Sequence, residues 1–171
     1  MLRAALAALA LAALPLSAWA QQAITCTASN ITLNFGTYDV LSGAPHDAAG
    51  SFTVSCVSTV AQDRTVTYSA GLAVAPVRQL APPAGADRLA YDVYVDPART
   101  QPWGDANSGT FLITGSLFVP RKASATDAPK NFYARIAPGG QDVSAASPGP
   151  PPTPYAQTIT VTVTCTPSPP C

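Results

Sequence analysis

Few side chains in this 171-residue chain could do chemistry: one histidine, His46, four cysteines, Cys26, Cys56, Cys165 and Cys171, and nine acidic residues, all aspartate. Nucleophilic catalysis needs a serine or cysteine beside a base, and His46 is the single imidazole, placed in a Gly/Pro-containing stretch that reads as a solvated turn. A zinc site needs closely spaced thiolates, and no two cysteines here have Cys-x-x-Cys spacing. Asp92 and Asp96 have the spacing to share one strand face, where two carboxylates could hold calcium, but the same spacing describes the wet edge of a half-buried strand. Neither a phosphate-binding glycine loop nor a nucleophile elbow is present. The expectation is a protein with no catalytic, cofactor or metal site, which acts by binding other proteins or surfaces.

Disulfides are then the natural use of the cysteines, provided that the chain is exported. Met1–Ala20 supports export: Arg3, an apolar Ala/Leu run too short to span a bilayer, and small residues at Ala18 and Ala20 make a cleavable signal. A mature chain from Gln21 is long enough for one domain, 21–165, followed by a short proline-rich tail, 166–171. Four cysteines allow three pairings. Cys26 and Cys56 bracket two strand-like segments and a turn, while Cys165 and Cys171 flank a short tail, which favours Cys26 with Cys56 and Cys165 with Cys171.

The elements that would carry these residues are strands. Of the nine basic residues one is Arg3, so the mature chain has eight against nine aspartates and no electrostatic footprint for nucleic acid. Eighteen prolines and the absence of glutamate argue against helices, since proline breaks them and aspartate favours turns. Apolar and polar residues alternate over residues 31–35, 51–56, 64–70, 89–96, 109–119, 131–136 and 157–165, with Gly, Pro and Asp between. About seven short strands at this spacing predict a β-sandwich. Pro76–Asp87 and Ser144–Pro154 read as loops, the second a stiff proline run.

Three segments resemble a known family: Leu33-Asn34-Phe35-Gly36-Thr37-Tyr38-Asp39, then Leu89–Asp96 with Trp103-Gly104-Asp105, then Tyr155–Val163. In this order they are similar to the spore coat protein U domain, the family that includes subunits of Csu-type archaic chaperone–usher pili, and the likeness runs from about Cys26 to Cys165. The resemblance implies an immunoglobulin-like sandwich lacking one strand, folded by a periplasmic chaperone, passed to an outer-membrane usher and completed by the N-terminal extension of a neighbouring pilin subunit. It also maps the family's first cysteine pair onto Cys26 and Cys56. A strand-accepting groove would be bordered by Ile31, Leu33 and Phe35 on one side and Ile159, Val161 and Val163 on the other.

The chain departs from the family's pattern in three places. Only Gln21–Thr25 precede Cys26 after the expected cleavage, too few to donate a strand, and this suggests a tip position. The last strand ends in Cys165 and its tail, where the family has an aromatic end, and Ser144–Pro154 enlarges the preceding turn. The expected function is a non-enzymatic structural or adhesive subunit, exported to the periplasm and then to the cell surface or a fibre. The alternative is a self-contained coat or matrix protein.

Overall fold

The computed structural model describes residues 23–29, 31–36, 38–39, 43–73, 78–80, 88–138 and 156–166; Met1–Ala20, Ser144–Pro154, Tyr155 and Cys171 lie outside them. The described residues form β1 (Ile24–Ala28), β2 (Ile31–Asn34), β3 (His46–Phe52), β4 (Val54–Ser58), β5 (Arg64–Leu72) and β6 (Arg78–Leu80). They continue as β7 (Leu89–Tyr94), β8 (Ile113–Val119), β9 (Ser124–Thr126), β10 (Lys130–Ile136), β11 (Ala156–Ile159) and β12 (Val161–Thr166). The protein is all-β, and every strand pairing is antiparallel.

Breaks within continuous segments join the hydrogen-bonded sheets into two layers. Thr53 separates β3 from β4, so the order β3-β10-β7-β6 runs on into β1-β4-β9 as one layer. Thr160 separates β11 from β12, so β2-β11 runs on into β12-β5-β8 as the other. Alternation drives each strand into place. Val66, Tyr68, Ala70 and Leu72 of β5 are buried while Thr65 and Thr67 are exposed, and Leu89, Tyr91 and Val93 repeat the pattern on β7.

The core is centred on Trp103. Its ring stacks on Phe52 at 5.2 Å between centroids and lies 5.6 Å from Phe132, while its Nε1 donates to the Ala70 carbonyl at 2.9 Å. Phe52 and Phe132 belong to the first layer and Ala70 to the second, so this one side chain fixes their separation. Two tyrosines repeat the cross-layer link. Tyr91 of β7 donates from its hydroxyl to Gln157 Oε1 of β11 at 2.5 Å, and Tyr68 of β5 donates to Asp127 Oδ2, just past β9, at 2.5 Å. The Tyr68 ring passes over Gly115, its cross-strand partner on β8, where any Cβ would overlap it.

Several sequence expectations need correction. His46 is the first residue of β3, half-buried between Phe35 and Tyr38 with Nε2 against the Phe35 carbonyl, because the extended register with Ile136 carries the strand back to it. The Pro76–Asp87 loop contains β6, held by β7. Asp92 lies on β7 but Asp96 lies beyond it, its carboxylate accepting from Thr100 N, Thr100 Oγ1 and Gln101 N, so the two share no face. The strand expected from Gly109 starts at Ile113. β9, three residues long, has no alternation long enough to be read from the sequence.

Trp103→Ala should destabilise the protein by about 3–5 kcal/mol, enough to lose most of the folded population of a small domain. Trp103→Phe keeps a ring but leaves the Ala70 carbonyl without its donor, and should cost about 1–3 kcal/mol. Urea unfolding of the two variants beside the parent protein measures both.

Burial opposes ionisation of Asp127, but donation from the Tyr68 hydroxyl, Lys130 and the Ala128 N–H outweighs it and holds the carboxyl below its ordinary range. A carboxylate with a lowered folded value contributes stability above its unfolded value of ~3.9, and loses it as pH falls through the folded one. Asp127→Asn should therefore unfold at lower denaturant than the parent at neutral pH, with the difference shrinking on acidification below ~4. Urea midpoints across that range test the sign.

Candidate functional site: the seam between β1 and β12

The start of the described chain is divided between the two layers. β1 pairs with β4, with Cys26 directly opposite Cys56, and a disulfide joins them. Just outside this ladder, Ala23 N donates to Thr59 Oγ1 at 2.7 Å and Thr59 N donates to the Ala23 carbonyl at 2.8 Å. Three residues beyond Ala28 the chain has changed layers, and β2 pairs with β11 in the register Ile31 to Ile159 and Asn34 to Ala156.

Carried past Ile31 and Ile159, that register would bring β1 alongside β12 as an antiparallel neighbour. The two strands are indeed in contact, but no ladder joins them. β1 spends its hydrogen bonds on β4, and β12 spends those of one edge on β5. A seam results, with one strand edge from each layer on either side.

Apart from buried Ile24 at the start of β1, the inward-facing residues along it are only half-buried. On β12 these are Val161, Val163 and Cys165, alternating with exposed Thr162, Thr164 and Thr166; on β1 they are Cys26 and Ala28, alternating with exposed Thr25 and Thr27. Along the middle strands β5, β7 and β10 the inward phase is sealed. At this flank apolar side chains from both layers pack against the core without being fully covered.

The six residues expected to border one open groove therefore divide into two groups. Ile31, Leu33, Phe35 and Ile159 lie in the sealed core, because β2 and β11 pair directly and leave no space between them. Val161 and Val163 lie at the seam. Cys26, Ala28 and Cys165 join them there, a grouping the sequence reading missed. Their signal was the Thr-alternating pattern shared by Ile24–Ala28 and Val161–Thr166, which places small apolar side chains on one face of each. Cys165 is disulfide-bonded, and its expected partner Cys171 lies outside the described residues.

Charged groups are absent from β1 and β12, so the seam offers backbone hydrogen-bonding groups and an apolar stripe. Among the described residues no cluster of His, Cys, Asp or Glu is arranged to hold a metal ion, and no helix is long and apolar enough to cross a membrane. The arrangement suits main-chain pairing with an extended segment whose alternate side chains are apolar.

Comparison with known proteins agrees with the fold. A protein of Myxococcus xanthus named Protein U is 32% identical over 126 residues, a stretch covering 68% of this chain and 65% of that protein, so the chain spans just under two thirds of this relative's length. The family model described as the Spore Coat Protein U domain matches residues 10–162, which takes in β1 to β11 and the start of β12 and leaves Cys165 and Cys171 beyond its end. With that much of its length matched, the chain belongs to the Spore Coat Protein U domain family.

Proposed function

We propose that this chain is an exported, non-enzymatic subunit of a surface assembly of the chaperone–usher pilus type, which accepts a strand from a neighbouring subunit along the seam between β1 and β12. One observation carries the reading: two strand edges from opposite layers lie side by side, unpaired with each other, over half-buried apolar residues. Exposed edges of this kind invite pairing with another chain. A periplasmic chaperone would hold the seam before assembly, the usher would pass the subunit outward, and Met1–Ala20 would direct export.

The direction of exchange follows from β1. Ala23–Ala28 is tied to β4 and Thr59 by hydrogen bonds and to Cys56 by a disulfide, so this segment completes its own domain and is not available as a donor. The chain accepts a strand, as a subunit at the end of a fibre would.

A second reading has its own support. β2 already occupies one half of the expected groove by pairing with β11, and the family's description is of a spore coat protein. On this reading the protein is a coat or matrix component that closes its own sandwich.

The two readings separate on a donor peptide. A synthetic extended peptide with alternating apolar residues, added in large excess, should bind the exported protein weakly, with shift changes confined to β1, β12 and their neighbours by NMR, and co-expressed cognate chaperone should form a one-to-one complex. Val161→Asp, which puts an unpaired charge among half-buried apolar groups, should abolish both while leaving the circular dichroism spectrum intact. A parent protein that is stable alone, binds neither partner and unfolds cooperatively would instead support the self-contained coat protein.

A further inference from the structure

The opposite edge of the second layer presents a different surface. β8 ends that layer, pairing with β5 from Arg64 opposite Val119 to Ala70 opposite Ile113, and no strand pairs with its other edge among the described residues. Its sequence, Ile-Thr-Gly-Ser-Leu-Phe-Val, contains no charge and no proline, the two features that usually protect a long edge from pairing with another chain. Its inward residues Ile113 and Leu117 are half-buried, and its outward Phe118 is 57% exposed, more than any other large apolar side chain described.

We infer that β8 is a self-association edge, and that its occupant is β8 of a second copy of this chain, paired antiparallel about a two-fold axis at Ser116. The charges at its ends select this occupant. Arg64, Arg121 and Lys122 cluster at the Val119 end, against Asp63, which accepts the Arg121 N–H at 2.8 Å. Asp105 sits at the other end, packed with Leu112 against Gly71, which is next to Ala70, the partner of Ile113. Antiparallel pairing sets the net basic end of each copy beside the acidic end of the other, and parallel pairing would set like ends together. With Ser116 on the axis, Thr114 of each copy faces Phe118 of the other, so a threonine covers each exposed ring. The contact is isologous and closes at two copies. It lies at the far edge of the layer from β12, so it is independent of strand acceptance at the seam.

Sedimentation of the exported protein should show a reversible dimer. Directly opposed residues of antiparallel strands have Cα atoms ~4.5–5.5 Å apart, within disulfide range, so Ser116→Cys should give a covalent dimer on mild oxidation while Thr114→Cys, offset from its own copy, should not. Replacing both Thr114 and Phe118 with lysine should abolish the dimer, and Thr114→Glu with Phe118→Lys should restore it; all these positions are exposed, so the fold is spared. A protein that stays monomeric, a dimer that Ser116→Cys does not cross-link, or a dimer that survives the double lysine variant but is lost in Val161→Asp would overturn the inference.

Discussion

The division of the first strand segment between two layers is the constraint from which the rest of the molecule follows. A single strand running straight from Ile24 to Asn34 would pair along its whole length with the last segment and seal the sandwich. Instead, Cys56 lies fully buried on β4 and draws Cys26 to it by a covalent bond, so the first half of the segment stays in one layer while the second half joins the other. The disulfide closes a loop of about thirty residues, a restriction of the unfolded chain that contributes on the order of 3–4 kcal/mol. That is comparable with the net stability of many small domains, so the split is enforced strongly.

The cross-layer side chains hold the two layers in register around this split. Trp103 sets the spacing in the middle, while Tyr91 fixes β11 through Gln157 and Tyr68 fixes the far side through Asp127. Their placement is asymmetric. β11, beside β2, is clipped by Tyr91, whereas β12 is held by β5 alone on one edge and leaves the other unpaired. The tight glycines serve the same frame: Gly50 makes room for the Phe132 ring and Gly115 for Tyr68. At both places the packing is close enough for a Cβ to be excluded.

The strands were legible in the sequence wherever alternation ran for five residues or more, as in Arg64–Ala70 or Asn131–Ile136, because one buried face imposes a period of two. Short pieces were not: β6 and β9 have three residues each, too few for a period, and they exist because β7 and β4 offer them edges. His46 was misplaced since Gly43 and Pro45 read as a turn, and only the non-local register with β10 reveals the strand. The pairing of Cys26 with Cys56 could be favoured from their placement. The groove was half legible. Alternation identified the inward faces of Ile31, Leu33, Ile159, Val161 and Val163, but which of these are sealed depends on the layer change before Ile31, and pairing choices between distant segments leave no local mark.

The energetics of the seam bear on what kind of partner could fill it. β12 is six residues long, and about half of them direct their backbone groups to the free edge. Some six hydrogen bonds at ~0.5–1.5 kcal/mol each, with ~3 kcal/mol from completing the burial of Val161, Val163 and their neighbours, give roughly 6–12 kcal/mol. Fixing six residues of a flexible strand costs about the same, ~1–2 kcal/mol per residue. A free peptide is therefore marginal, and a longer one must displace β2 from β11, trading one set of backbone hydrogen bonds for another. A strand delivered as the covalent extension of a docked neighbour arrives at high effective concentration and avoids most of the association cost. An edge with this balance discriminates for a tethered donor, which is the requirement of an assembly built subunit by subunit.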